Sequence, residues 1–70
     1  MISYEPLWQT MKDRDVTTYT LIYKFGFNPK TINNLRHNKS ITIHTLQNLC
    51  TVLECTPNDV VAFLPEEEPI

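Results

Sequence analysis

The sequence predicts an all-α domain, a compact bundle of five short helices with a helix-turn-helix at its centre. Three observations carry this. Apolar residues recur at spacings of three and four in short blocks, the period of an amphipathic helix. The blocks are separated by helix caps and stops (Thr17, Asn28-Pro29, Thr42 and Thr56-Pro57 at starts, Gly26 and Asn38 at ends) rather than by the tight turns of hairpins. The second and third blocks are joined by a short turn that holds the only glycine of the chain, the arrangement of a helix-turn-helix.

Each element follows from its own residues. Ser3 can cap a first helix with Pro6 near its start, and Tyr4, Leu7, Trp8 and Met11 fall on one stripe, Trp8 serving as a large core anchor. Lys12 to Asp15 form a solvated end, and Val16 returns to the core. Thr17 offers a hydroxyl to an unpaired backbone N–H, so a second helix is expected from Thr18 to Phe25, with Leu21, Ile22 and Phe25 inward. Tyr19 and Tyr23 lie on its flanks, where a hydroxyl can reach a phosphate or a ring can pack at the surface. Gly26 suits the left-handed exit from that helix, and Phe27 is expected to be buried in the turn. Asn28 caps the third helix, and Pro29 sits where its missing donor costs nothing. This helix runs from Pro29 to about His37, its exit reaching Asn38, with Ile32 and Leu35 inward. Thr42 caps a fourth helix ending near Leu53, with Leu46, Leu49, Cys50 and Leu53 inward and Ile43 and Val52 beside them. Thr56-Pro57-Asn58-Asp59 reads as the capping box of a fifth, carrying Val60, Val61, Phe63 and Leu64 and stopping before Pro65. Residues 1–64 thus form one domain, and residues 65–70 a polar, mobile tail.

At 70 residues, the chain supports one domain with a thin margin of stability, since chains of this size bury only about 60 % of their unfolded surface. No apolar run reaches the roughly 18 residues of a membrane span, and MISYEPLW lacks the basic start and apolar core of a signal peptide. The expected location is the cytoplasm. Cys50 and Cys55, five apart, are expected to be small core thiols. With His37 and His44 upstream they match no common zinc spacing, so no metal and no cofactor is expected. No Ser/His/Asp arrangement, paired carboxylates or Gly-rich phosphate loop is present, and one glycine leaves little room for a cleft. An enzyme and a small-molecule substrate are not expected.

Net charge is −2, but its distribution is uneven. From Val16 to Leu53 there is no Asp or Glu, while Lys24, Lys30, Arg36 and Lys39 lie within that stretch. A polyanion responds to the local field rather than to the total. On the third helix, Lys30, Asn33, Asn34 and His37 lie opposite Ile32 and Leu35, with Thr31 and Arg36 on the flanks. Lys can donate to guanine O6 and N7, and Asn can bond adenine N6 and N7 with both ends of its amide. Asn is a weak helix former, so two in mid-helix point to a use. Lys39 in the following loop suits a phosphate, and His44, in the first turn of the fourth helix, lies near the same region. The helix start at Thr18 also favours an anion.

These residues also resemble a known family, the lambda-repressor-like (Cro/C1-type, XRE) DNA-binding domains of bacteria and phages. Thr17-Thr18-Tyr19-Thr20-Leu21 is similar to the opening of the family's second helix, and Gly26 falls at its turn glycine. Asn28-Pro29-Lys30-Thr31-Ile32-Asn33-Asn34-Leu35 is similar to its recognition helix. Ile43-His44-Thr45-Leu46-Gln47-Asn48-Leu49-Cys50 resembles its fourth helix and Thr56-Pro57-Asn58-Asp59-Val60-Val61 its last. The resemblance covers about residues 3 to 64. It implies a five-helix bundle that binds operator DNA through the third helix, as a dimer. By position, Lys30, Thr31 and Asn34 match base-facing sites, to which the helix geometry adds Asn33. Thr18, His37 and Lys39 match phosphate-facing sites, and Asn28, Arg36, Asn38 and His44 complete the expected phosphate set. Two positions depart from the family: Ile22 stands where Ala is common, which implies either a slightly wider crossing of the second and third helices or compensation by small neighbours. Pro29 replaces a side chain that often reads bases.

The expected function is a sequence-specific transcriptional regulator, a repressor acting by occupancy on double-stranded DNA. One module offers few base contacts, so a homodimer with half-sites about 34 Å apart is expected, and Val60, Phe63 and Ile70 are candidates for its contact. The alternative is a protein-interaction module, an antitoxin or adaptor using the same fold. It would carry an apolar or acidic outer face on the third helix, where this chain is basic and amide-rich, although Glu66 to Glu68 could dock a basic partner.

Overall fold

The chain folds as β1 (Ile2–Ser3), α1 (Glu5–Asp13), α2 (Thr18–Tyr23), α3 (Pro29–Arg36), α4 (Ile43–Leu53), a 3-10 turn (Pro57–Asp59) and β2 (Ala62–Phe63). It is seen in a computed structural model that describes residues 1–65. All of the expected tail except Pro65 lies outside the described residues.

The starts of the helices are set by local chemistry. Thr17 accepts the Thr20 N–H at 3.1 Å, Asn28 that of Lys30 at 2.8 Å, and Thr42 that of Thr45 at 3.1 Å. Each satisfies a donor that the helix cannot. Pro29 takes the first position of α3 as expected. The first helix begins later than expected. Ser3 lies in β1, and its hydroxyl accepts the Glu5 N–H at 3.2 Å from outside the helix, whose N-cap is Tyr4.

The helix ends share one device. Asp15, Asn38 and Glu54 have φ of 58°, 55° and 51°. Beyond them Val16, Lys39 and Cys55 donate back to Met11, Asn34 and Cys50 at 2.8, 2.8 and 3.0 Å. This is the six-to-one closure of a Schellman motif. Gly26, at φ +75°, ends the turn after α2, where the Phe27 N–H reaches the Leu21 carbonyl at 2.9 Å. A left-handed conformation strains any residue with a Cβ by about 1–2 kcal/mol. Glu54 is exposed, and Arg14 bonds its backbone carbonyl rather than its carboxylate. Glu54→Gly is therefore expected to raise the unfolding free energy by about 0.5–1 kcal/mol, read from the urea midpoint; a lower midpoint would refute the strain argument.

The core is Tyr4, Leu7, Met11, Leu21, Ile32, Leu35, Leu49, Leu53 and Val60, all buried. Trp8, Ile22, Phe27, Leu46, Cys50, Val52 and Cys55 pack against it half-buried. Burial raises the Cys55 thiol pKa, and the neighbouring Cys50 adds to the shift. The two cysteines thus sit as small core-side residues.

Three further expectations about the fold are corrected. The fifth helix is absent: the capping box of Thr56 and Asp59 opens only a 3-10 turn, after which the chain extends. Ala62 and Phe63 pair antiparallel with Ser3 and Ile2, and Leu64 N–H bonds the Met1 carbonyl at 2.8 Å. Two β-branched valines, and Pro65 constraining Leu64 toward extended backbone, favour this over a helix. Of the four apolar residues assigned to that helix, only Val60 is fully buried, while Phe63 is 80 % exposed. Second, α2 ends at Tyr23, so Phe25 leaves the inward phase. It is 40 % exposed, with the Lys24 ammonium 5.5 Å from its ring centre. Third, Ile43 points away from the inner face of α4 and is 79 % exposed.

Candidate nucleic-acid interface

The third helix is held by its buried pair. Ile32 and Leu35 enter the core, so Lys30, Asn33 and Arg36 stand exposed on α3 with His37 at its end, while Thr31 and Asn34 are half-buried on its borders. Thr31 lines an open groove with Phe27, Asn28, Thr45 and Asn48, between the turn and α4. The outer surface is cationic and amide-bearing, and no carboxylate belongs to α2, α3 or α4. The described acids lie on α1 and its exit, at Glu54 and on the 3-10 turn.

Several expected phosphate residues also hold the scaffold. Arg36 donates to the Thr18 hydroxyl at 3.1 Å, tying α3 to the start of α2 and bringing these two candidates together. Asn28 spends its side-chain oxygen on the α3 cap. The His37 ring contacts the Asn33 carbonyl through Nδ1 at 2.9 Å. A carbonyl only accepts, so Nδ1 carries the proton in this contact. Lys39 and His44 are exposed, the first just past α3 and the second in the first turn of α4. Tyr19 and Tyr23 are exposed on α2 and pack against one another with their rings tilted by 37°, ring centres 4.5 Å apart.

One part of this surface was not legible in the sequence. Tyr4 is buried, and its hydroxyl donates to the Lys39 carbonyl at 2.6 Å. Its backbone N–H donates to the Asn38 side-chain oxygen at 3.2 Å. The residue before α1 therefore clamps the loop leaving α3. This turns the Asn38 oxygen toward the scaffold and fixes the backbone from which the Lys39 side chain projects. The available signal was the tyrosine itself, since a buried phenol needs a hydrogen-bond partner.

A recognition-sized helix presented on a helix-turn-helix, with cations and carboxamides outward, defines a class. Residues 6–66 match the model of the Cro/C1-type helix-turn-helix DNA-binding domain, and the chain belongs to that family. Among solved structures it is similar to the crystal structure of the transcriptional regulator VanUg, at 31 % identity and a TM-score of 0.84, covering 93 % of this chain and 87 % of that one. A search of curated proteins finds no match. The family and this similarity support a DNA-binding regulator, and they point away from an enzyme. Among the described residues no helix is long and apolar enough to cross a membrane.

Proposed function

We propose that this protein is a sequence-specific transcriptional repressor of bacterial or phage type, acting in the cytoplasm on operator DNA. The helix 29–38 enters the major groove. Lys30, Thr31, Asn33 and Asn34 meet base edges, while Thr18, Asn28, Arg36, His37, Asn38, Lys39 and His44 follow the phosphates. The observation that carries this reading is the division of α3: Ile32 and Leu35 are buried, while Lys30, Asn33 and Arg36 are exposed on a segment without carboxylates. The family membership supports it independently. Thr18 and Arg36, already bonded to each other, form a pair that one phosphate can bridge. A homodimer on two half-sites supplies the base contacts that one short helix lacks.

The test is duplex selection from a random pool, followed by titration at several salt concentrations. Lys39→Ala is expected to weaken binding to all duplexes alike and to lower the salt slope by about 0.9. Asn34→Ala is expected to cost about 1–3 kcal/mol on the selected sequence and to relax preference at one base pair. If no duplex is enriched at low salt and a stoichiometric protein partner is recovered instead, the adaptor reading replaces this one.

A further inference from the structure

The exit of α4 brings together the only two cysteines of the chain. Cys50 lies in the last turn of the helix and Cys55 just past its left-handed residue, Glu54. The Cys55 N–H donates to the Cys50 carbonyl at 3.0 Å. With the covalent bonds on either side added, that contact holds the two Cα atoms within about 7 Å of each other, the outer limit for a disulfide. The side chains converge as well. A Schellman exit sets these two positions against one another, and the thiols share a side-chain hydrogen bond. Both residues are half-buried and both thiols are free. Burial, Cys50 itself and the Asp59 carboxylate disfavour the Cys55 thiolate, while Arg14, which donates to the Glu54 carbonyl at 3.1 Å, favours it. Packing here asks only for two small apolar side chains; two convergent thiols add a chemistry.

We propose that Cys50 and Cys55 form a thiol–disulfide switch that staples the end of α4 when a low-molecular-weight disulfide is in excess. One cysteine, as its thiolate, attacks a sulfur of the oxidant R–S–S–R. A new S–S bond forms as the old one breaks, and R–S⁻ leaves and takes up a proton. The other cysteine loses its proton to water, attacks the protein sulfur of that mixed disulfide and expels the second R–S⁻. Two protein thiols are oxidised, and the oxidant is reduced to two thiols. Two observations favour closure over a lasting mixed disulfide. The thiols are already in contact, so the second attack is intramolecular. The backbone bond between the same two residues already holds the ring that the disulfide would close. In a reducing compartment the pair rests as thiols and closes only under an oxidising challenge. The cross-link restricts the unfolded chain, so oxidation raises the folded fraction of a domain with a thin margin. The pair lies at the opposite end of α4 from His44. The switch therefore acts on stability, and the inference holds whether or not the domain reads DNA.

The experiment equilibrates the full chain in glutathione buffers of rising oxidised fraction, alkylates the thiols that remain, and reads the mass and the thermal melt. Wild type is expected to lose two hydrogens within a single chain and to resist alkylation at both cysteines. Its folding equilibrium should rise at least about tenfold, seen as a melting temperature higher by about 5–10 °C. Dithiothreitol should reverse both changes. Cys50→Ser and Cys55→Ser each keep one thiol. Each should carry one glutathione when oxidised and show no such rise in melting temperature. The proposal is overturned if wild type ends with a glutathione on each cysteine, or if it cross-links between chains instead. It is equally overturned if both thiols stay open to alkylation across the series, or if the closed form melts no higher than the reduced one. All four outcomes are read on wild type, so a variant that fails to fold leaves the decision intact.

Discussion

Leu35→Ala is expected to remove about half of the domain's folding free energy. Leu35 is fully buried in the middle of α3, and removing its branched end costs about 2–5 kcal/mol in transfer and cavity energy. A domain of this size holds only about 4–10 kcal/mol in total. Ile32→Val, by contrast, trims one methyl from the same inner face and should cost about 0.5–1.5 kcal/mol. Urea unfolding followed by far-UV circular dichroism distinguishes the two. A Leu35→Ala midpoint close to that of Ile32→Val would mean that α3 is held by something other than its buried pair. Loss of DNA binding in Leu35→Ala then follows from loss of the helix, so it carries no information about base contacts.

The second large effect is expected at Tyr4. Tyr4→Ala removes a buried ring at the junction of β1 and α1 and should cost about 3–5 kcal/mol. Tyr4→Phe keeps the ring, deprives the Lys39 carbonyl of its 2.6 Å donor and should cost about 1–2 kcal/mol. The phenol also gives a pH signature. Burial raises the Tyr4 pKa above its ordinary value, near 10. The unfolded chain therefore releases this proton first as pH rises. The stabilisation is present in full below about pH 10 and is lost as pH climbs from there through the folded pKa. Subtracting the Tyr4→Phe curve from the wild-type stability curve isolates this loss. Parallel curves between pH 9 and 11 would show that the hydroxyl is not held as described.

What could be read from the sequence was what depends on near neighbours. Thr17, Asn28, Thr42 and the left-handed Gly26 and Asn38 act within a few residues, so the start and exit of α3 could be placed from residue type alone. The inward direction of Ile32 and Leu35 followed from the helical period, and with it the exposure of Lys30 and Asn33, whereas Asn34, expected to face outward, is half-buried and Arg36, expected on a flank, is exposed. The errors came from distant partners. Residues 60–64 carry an apolar pattern that suits a helix, but the other end of the chain offers Ile2 and Ser3 as strand partners, which no local pattern records. Phe25 was misplaced because α2 stops at Tyr23, shifting the phase by a fraction of a turn. The Tyr4 clamp joins residues 34 and 35 positions apart and could be seen only once α1 and the α3 exit were folded together.

The division of labour along α3 bears on how such a protein can change over generations. The helix is anchored by Ile32, Leu35 and the Asn28 cap, and its exit is fixed by Asn38 and Tyr4. Lys30 and Asn33 contribute exposed side chains that anchor nothing in the interior, and exposed positions of this kind usually vary within about 0.5 kcal/mol. On the proposed reading, new target preferences can be sampled at those two codons while the scaffold stays intact, and drift at residues 4, 28, 32, 35 or 38 would be purged first for its effect on folding.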